Sequence, residues 1–284
     1  MAIDSHFHIW QLARNDYGWL NPAVNPALAP ICRNVATTDW QRQAAPMGID
    51  AGILVQAAPT EAETVFLLQQ AERHPGILGV VGWVDWLAPD APERIHKLAK
   101  NPRLKGLRPM LQDIPDPAWM LQPALQPALE AMADCGLVFD ALVKPQHLPH
   151  LLALAQRHPA LKIVIDHGGK PDIAAQQWQP WADGMAGLAQ VSLAWCKVSG
   201  LLTEAGPQPA TTIARPWMQH LANTFGPNRL LWGSDWPVLE LSGASYGDWW
   251  QECQDWVSGW HSAEQLAFWG GNARKVYSLQ AGAG

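Results

Sequence analysis

Apolar runs of a few residues, each ending at a polar side chain, recur along the chain. They alternate with stretches whose apolar positions return every three or four residues. The runs have the pattern of buried strands and the stretches between them that of amphipathic helices. In order, the predicted strands are AIDSHFHIW (2–10), AGILVQA (51–57), ILGVVGWVDW (77–86), RLKGLRPM (103–110), GLVFDALV (136–143), LKIVIDHGG (161–169), AWCKVSGLL (194–202) and RLLWGSDWP (229–237). The clearest helical patterns cover 61–75, 122–136 and 146–159, with Pro or Gly marking their ends. Strand and helix in strict alternation imply a parallel sheet, because parallel neighbours need a crossover. Eight such units in 284 residues predict an α/β fold of the (β/α)8 TIM-barrel kind, one domain over 1–284. No G-x-G-x-x-G follows an early strand, which argues against an open dinucleotide-binding sheet. The longest connection, residues 11–38, carries Pro22, Pro26 and Pro30 and is expected to cover the barrel mouth.

Composition narrows the partners. With 48% hydrophobic and 15% charged residues the chain has ample material for a packed core. A formal net charge of -6 without a cluster of Lys or Arg argues against a nucleic-acid surface. No apolar segment approaches membrane-spanning length, and MAIDSHFHIW lacks the basic-then-apolar pattern of a signal peptide. Cys32, Cys135, Cys196 and Cys253 form no C-x-x-C pair and are expected as free thiols. These features together predict a cytoplasmic protein with a small-molecule ligand; nothing in them speaks to oligomeric state. Seventeen tryptophans against three tyrosines is an unusual ratio. Most belong to the core, but Trp10, Trp83, Trp86 and Trp236 lie beside polar strand ends, where indoles suit the apolar face of a sugar ring.

In barrels of this kind the chemistry lies at the C-terminal strand ends. Those positions hold His6, His8, Gln56, Asp85, Arg108, Asp140, His167 and Asp235, with Ser199 beside them. Alternation along a strand puts Asp4, His6 and His8 on one face, pointing into the barrel. Each residue alone has an ordinary structural explanation: a core histidine, a helix-capping Asp85, an Arg108 paired internally, a loop aspartate at 235. Two inward histidines, with a third histidine and an aspartate ending later strands, are a constellation rather than a coincidence.

The words DSHFHIW, LVQA, GVVGWVDW, KGLRP, DHGGKP, LLWGSDWPV and GGNARKVY, in that order, resemble the amidohydrolase superfamily. Within it they resemble the amidohydrolase-related branch of sugar-lactone hydrolases of the L-fuconolactonase and L-rhamnonolactonase type. The resemblance runs from residue 2 to about residue 279. It implies that His6, His8, His167 and Asp235 can hold one divalent ion, zinc first, while metal-free lactonases fall within the same resemblance. A lysine-bridged pair of metals is not expected, since Arg108 ends the fourth strand and Asp140 stands on the fifth in place of histidine. The implied activity is opening of an aldono-1,4- or 1,5-lactone, with Asp235 taking and returning a proton. A metal, His6, His8, His167 or Arg108 would stabilise the oxyanion. Gln56, Asp85, Arg108 and Asp140 would contact hydroxyls, Trp10, Trp83 and Trp236 the ring, and Gly233 would let the substrate approach the chain closely. Lys170 is a further possible contact. The rival readings are a lactonase for pyrone dicarboxylates or muconolactones, a zinc-dependent decarboxylase, and a barrel that only binds.

Overall fold

The computed structural model describes residues 2–191, 193–207 and 209–279. Eight parallel strands follow one another around the sheet in chain order: β1 Ile3–Phe7, β2 Ala51–Val55, β3 Ile77–Gly82, β4 Leu104–Leu107, β5 Val138–Ala141, β6 Lys162–Ile165, β7 Ala194–Val198 and β8 Leu230–Trp232. Each lies inside one of the predicted apolar runs. They are near-continuously apolar because both faces are covered, one by the barrel interior and one by helices. The helices are α1 Thr37–Ala44, α2 Glu61–Arg73, α3 Ala91–Leu98, α4 Gln126–Asp134, α5 Leu148–Arg157, α6 Trp181–Ala189, α7 Arg215–Phe225, α8 Tyr246–Val257, α9 Ser262–Leu266 and α10 Asn272–Val276. No helix among the described residues is long and apolar enough to cross a membrane.

Two apolar layers result. The larger lies between strands and helices and takes up most of the tryptophans, including Trp40, Trp181, Trp232 and Trp249. The smaller fills the barrel with Ile3, Ile53, Val55, Val81, Val138, Val164 and Leu231. Its lower end is stoppered by α10 and the residues after it, through Val276, Tyr277 and Leu279. Lys105 and Lys162, at the starts of their strands, donate to Ser278 and hold this stopper in place.

The barrel closes between β1 and β8 just past the end of β8. Asp235 donates its N–H to the His6 carbonyl (2.8 Å), and His8 donates to the Trp236 carbonyl (2.8 Å). The seam is pinned from outside by Asp4. Its carboxylate accepts from the Ser234 N–H (2.9 Å) and hydroxyl (2.6 Å), from Trp40 Nε1 of α1 (2.9 Å) and from the Tyr246 hydroxyl of α8 (3.1 Å). This corrects the expectation that Asp4 shares the inward face of His6. The register of β1 shifts between Asp4 and Phe7, and such an irregularity breaks strict alternation. Asp4 is therefore a clamp between layers, while His6 and His8 do point inward.

Candidate active site

Local backbone chemistry brings four side chains to one point above the apolar barrel filling. His6 Nε2 stands 3.2 Å from His8 Nε2 and 3.7 Å from Asp235 Oδ1. Asp235 Oδ1 is also 3.3 Å from His8 Nε2 and 3.8 Å from His167 Nε2. All four residues are buried to within 4% of full exclusion. Two are held in the left-handed backbone region, Asp235 at φ 56° and His167 at φ 53°, which is costly for residues with a Cβ and concentrates at functional sites. His8 Nδ1 lies 2.8 Å from the Val55 carbonyl, and His167 Nδ1 lies 3.0 Å from the Ser199 hydroxyl. These contacts orient both rings with Nε2 toward Asp235.

Arg108 completes the floor. Its Nη1 is 3.2 Å from Asp166 Oδ2 and 3.4 Å from His6 Nε2, and its Nη2 donates to the Gln56 carbonyl. Gln56 answers by donating Nε2 to the Arg108 carbonyl (3.0 Å). Arg108 Nε and Gln56 Oε1 are buried without a protein partner. Underneath, Lys197 of β7 joins Asp140 (2.5 Å) and Asp166 (3.0 Å), and Tyr277 donates to both oxygens of Asp140 (2.9 and 2.8 Å).

Burial governs protonation here. It pushes His6 well below the ordinary imidazole range and His167 down to about 4, in His167 against the pull of Asp235 and Asp166. Burial alone would raise the Asp235 carboxyl, but facing His167, the His8 hydrogen bond and His6 outweigh it and hold Asp235 well below the usual carboxylate range. Asp166 is likewise held low by Lys197 and His6 against burial, whereas burial prevails at Asp140 and pushes it up. At neutral pH the centre therefore presents a carboxylate, Asp235, beside neutral His6 and His167.

A cavity of about 310 Å³ opens over this floor, which His8, Arg108, His167 and Asp235 line. Its walls come from Met110, Gln112 and Asp113 after β4, and from Trp19, Asn25 and Leu28 of the 11–38 connection. Ala57, Leu142, Lys170 and Val238 close the ring.

The sequence pattern of the amidohydrolase family matches residues 3–279. The chain belongs to the amidohydrolase family. Among its relatives, an L-fucono-1,5-lactonase of Burkholderia ambifaria is 42% identical over 98% of this chain and 95% of its own length. An L-fucono-1,5-lactonase of Burkholderia multivorans is 33% identical over 98% and 96% of the two chains. A crystal structure of an amidohydrolase from Burkholderia multivorans with bound zinc superposes with a TM-score of 0.91, at 32% identity, over 99% of this chain and 100% of that one.

The donor set of this amidohydrolase suits one divalent ion. His6, His167 and Asp235 offer ligand atoms that all lie within 4.8 Å of one another. His8 stands beside them, close to His6 and Asp235 but outside that set of three. Nitrogen donors with a carboxylate are zinc's usual company.

Several expected contacts lie elsewhere. Asp140 is shut beneath the floor, where Lys197 and Tyr277 consume its oxygens, so it cannot meet a substrate hydroxyl. Asp85 is exposed and shapes its own turn, accepting from the Leu87 N–H (3.2 Å). Gln56 is fully buried and clasps Arg108 rather than lining the cavity. Trp10 and Trp236 are buried, their indole N–H groups given to Arg33 O and Glu240 Oε1, and Trp83 is half-buried off the cavity wall. The indole that reaches the cavity is Trp19, packed edge-on against Trp10. Gly233 makes room for His6 rather than for substrate, since a Cβ there would come within 2.9 Å of His6 Cβ. Lys197 and Asp166 were not singled out from the sequence. Their signal was present: a lysine inside the apolar run AWCKV, and an aspartate directly before His167 at the end of KIVI.

Proposed function

We propose that the protein opens a neutral sugar lactone of the L-fucono-1,5-lactone type to its aldonate, with water as nucleophile and Asp235 as the proton carrier. The observation that carries this reading is an ionised carboxylate on the floor of a closed-in cavity, ringed by three imidazoles and a buried guanidinium. In the reaction, the water oxygen bonds to the lactone carbonyl carbon as Asp235 accepts a proton from it. The ring C–O bond then breaks, and Asp235 returns the proton to the departing ring oxygen. Arg108, the guanidinium that lines the cavity beside Asp235, is the donor for the developing oxyanion. One divalent ion, zinc, would be held by His6, His167 and Asp235 with His8 alongside, and when bound would acidify water and polarise the carbonyl.

Charge favours a neutral ring over a polycarboxylate. The charged residues lining the cavity are Arg108, Lys170, Asp113 and Asp235. Arg108 is already paired with Asp166 and Lys170 with Glu204. A pyrone dicarboxylate would bring two anions to a wall with no uncommitted cation, and desolvating an unpaired carboxylate costs several kcal/mol. Gln112 and Asn25 offer neutral groups for sugar hydroxyls, and Trp19 an apolar ring face. A pH-indicator assay over aldonolactones and pyrone dicarboxylate tests the assignment. We expect kcat/KM for L-fucono-1,5-lactone to exceed that for the dicarboxylate by roughly 100-fold or more, the effect of one unpaired charge. Preference for the polyanion, or release of carbon dioxide with the product, would overturn it.

A further inference from the structure

The cavity wall changes character around the barrel. The strands follow in chain order and β1 meets β8, so the connections after β8, β1 and β2 stand side by side and face those after β4, β5 and β6. The first side presents Val238, Leu28, Trp19 and Ala57. The second carries Gln112, Asp113 and Lys170, with Met110 and Leu142 among them. Asn25 is the polar exception on the apolar side; its Oδ1 accepts the Ala27 N–H (3.2 Å) and caps the turn that bears Leu28. That turn, Pro26–Ile31, packs on a second, Val238–Ser242, which sets Leu28 and Val238 on adjoining stretches of wall. Glu240 of the second turn accepts from Arg33 Nη2 and Trp236 Nε1 (both 2.9 Å) and fastens the two connections together. The Trp19 N–H is already given to the Ala57 carbonyl (2.7 Å). None of the four side chains on this side therefore has a polar group left to offer.

We propose that this side, through Leu28 and Val238, selects a lactone whose C5 carries a methyl rather than a hydroxymethyl group, and so fixes which edge of the ring faces β8. The inference rests on reading the cavity as a lactonase site. In a 1,5-lactone, C5 is bonded to the ring oxygen that receives the proton from Asp235, so its substituent lies close to that carboxylate. Val238, one turn beyond Asp235, is the wall residue there; the Leu239 N–H donates to the Asp235 carbonyl (2.9 Å) between them. A methyl group is the one substituent of the ring with no hydrogen bond to lose, and it leaves water for Leu28 and Val238 at a gain. The ring hydroxyls are left to Gln112, Asp113 and Lys170 opposite. A hydroxymethyl group in the same place would bury its hydroxyl against side chains that cannot answer it.

Three lactones of one configuration test this: L-fucono-1,5-lactone with methyl at C5, L-galactono-1,5-lactone with hydroxymethyl and D-arabinono-1,5-lactone with hydrogen. In a pH-indicator assay of the full-length protein, kcat/KM for the methyl compound should exceed that for the hydroxymethyl compound roughly 10- to 100-fold, the cost of an added hydroxyl in an apolar site. It should exceed that for the hydrogen compound about fourfold, the worth of one buried methyl-sized group. A wall that merely limited size would favour hydrogen. Val238→Thr keeps the shape of the wall and adds a hydroxyl, while Leu28→Ala opens it; each should shrink the methyl-to-hydroxymethyl ratio by about threefold or more. Gln112→Leu, on the opposite side, should lower kcat/KM for both and leave their ratio. Equal kcat/KM for the methyl and hydroxymethyl lactones in the parent protein would overturn the proposal, as would a preference for hydrogen. So would an unchanged ratio in either variant that keeps the parent unfolding transition, or a ratio that moves with Gln112→Leu. Each of these results leaves lactone opening itself standing. A parent protein that opens none of the three overturns the functional assignment and this inference together.

Discussion

Asp235 combines an unfavourable backbone conformation with a tightly determined position: its N–H is tied to the His6 carbonyl and its carboxylate faces three imidazoles. Replacing the carboxylate by an amide of the same shape keeps those surroundings and removes the base. Asp235→Asn should lower kcat/KM roughly 100- to 10,000-fold while the thermal unfolding transition is retained. A variant with most of the parent rate would return Asp235 to the role of a loop residue. Gly200 acts through geometry rather than chemistry. At φ +59° it occupies a region strained for other residues, and a Cβ there would come within 2.5 Å of His167 Nδ1 and 3.1 Å of Asp235 Oδ2. Gly200→Ala should displace the His167 ring and reduce kcat about 100-fold, the order expected for an ångström-scale misplacement. Steady-state kinetics on folded protein would decide it, and an unchanged kcat would mean that the ring has room to spare.

At the scale of elements, the connection between β2 and α2 shows how a wall of the cavity is built. Thr60 caps α2 by accepting the Glu63 N–H (3.1 Å), and the Glu63 carboxylate reaches back to the N–H groups of Ala57 (3.1 Å) and Ala58 (2.7 Å). Ala57 then lines the cavity and accepts from Trp19 Nε1 (2.7 Å). Burial pushes the Glu63 carboxyl up to about 7, against these backbone donors, with Tyr17 and Arg108 the other titratable groups facing it. The folded chain thus binds a proton that the unfolded chain has released above about 4.5. Unfolding free energy from this group therefore falls as pH rises from about 4.5 to 7, by about 3 kcal/mol at most. In urea titrations at pH 5, 6 and 7, Glu63→Gln should flatten that decline; an unaltered slope would place the proton elsewhere. Elements were the most legible level of the sequence, because an apolar run ending at a polar residue marks a strand wherever both faces are buried. His6, His8, His167, Arg108 and Asp235 were legible for the same reason. Trp19 was not, because a loop side chain has no periodicity to locate it. Asp140 misled because facing into the barrel does not say at what depth, and Tyr277, far along the chain, takes the place a substrate would need.

The whole molecule is a barrel filled in three storeys. The stopper around Tyr277 and the apolar filling lie at the bottom, and the candidate active site lies at the top. Between them stand two cations, Lys197 and Arg108, and two carboxylates, Asp140 and Asp166, in direct contact. Equal and opposite charges make this middle layer tolerable out of water, where an unpaired member would cost several kcal/mol. The top storey opens to the cavity, as does Arg108 of the middle one, and the cavity walls are connections rather than strands. The seam between β1 and β8 has a further consequence for how the protein comes into being. Neighbouring strands elsewhere pair over short stretches of chain, but this join links residues such as Ser5 and Trp232, 227 positions apart. Contacts of such separation form late, once the intervening segments have collapsed. His6 is therefore made well before Asp235 and waits for it. A nascent chain that stops short of β8 lacks Asp235, so the candidate site is assembled only once that strand has joined β1.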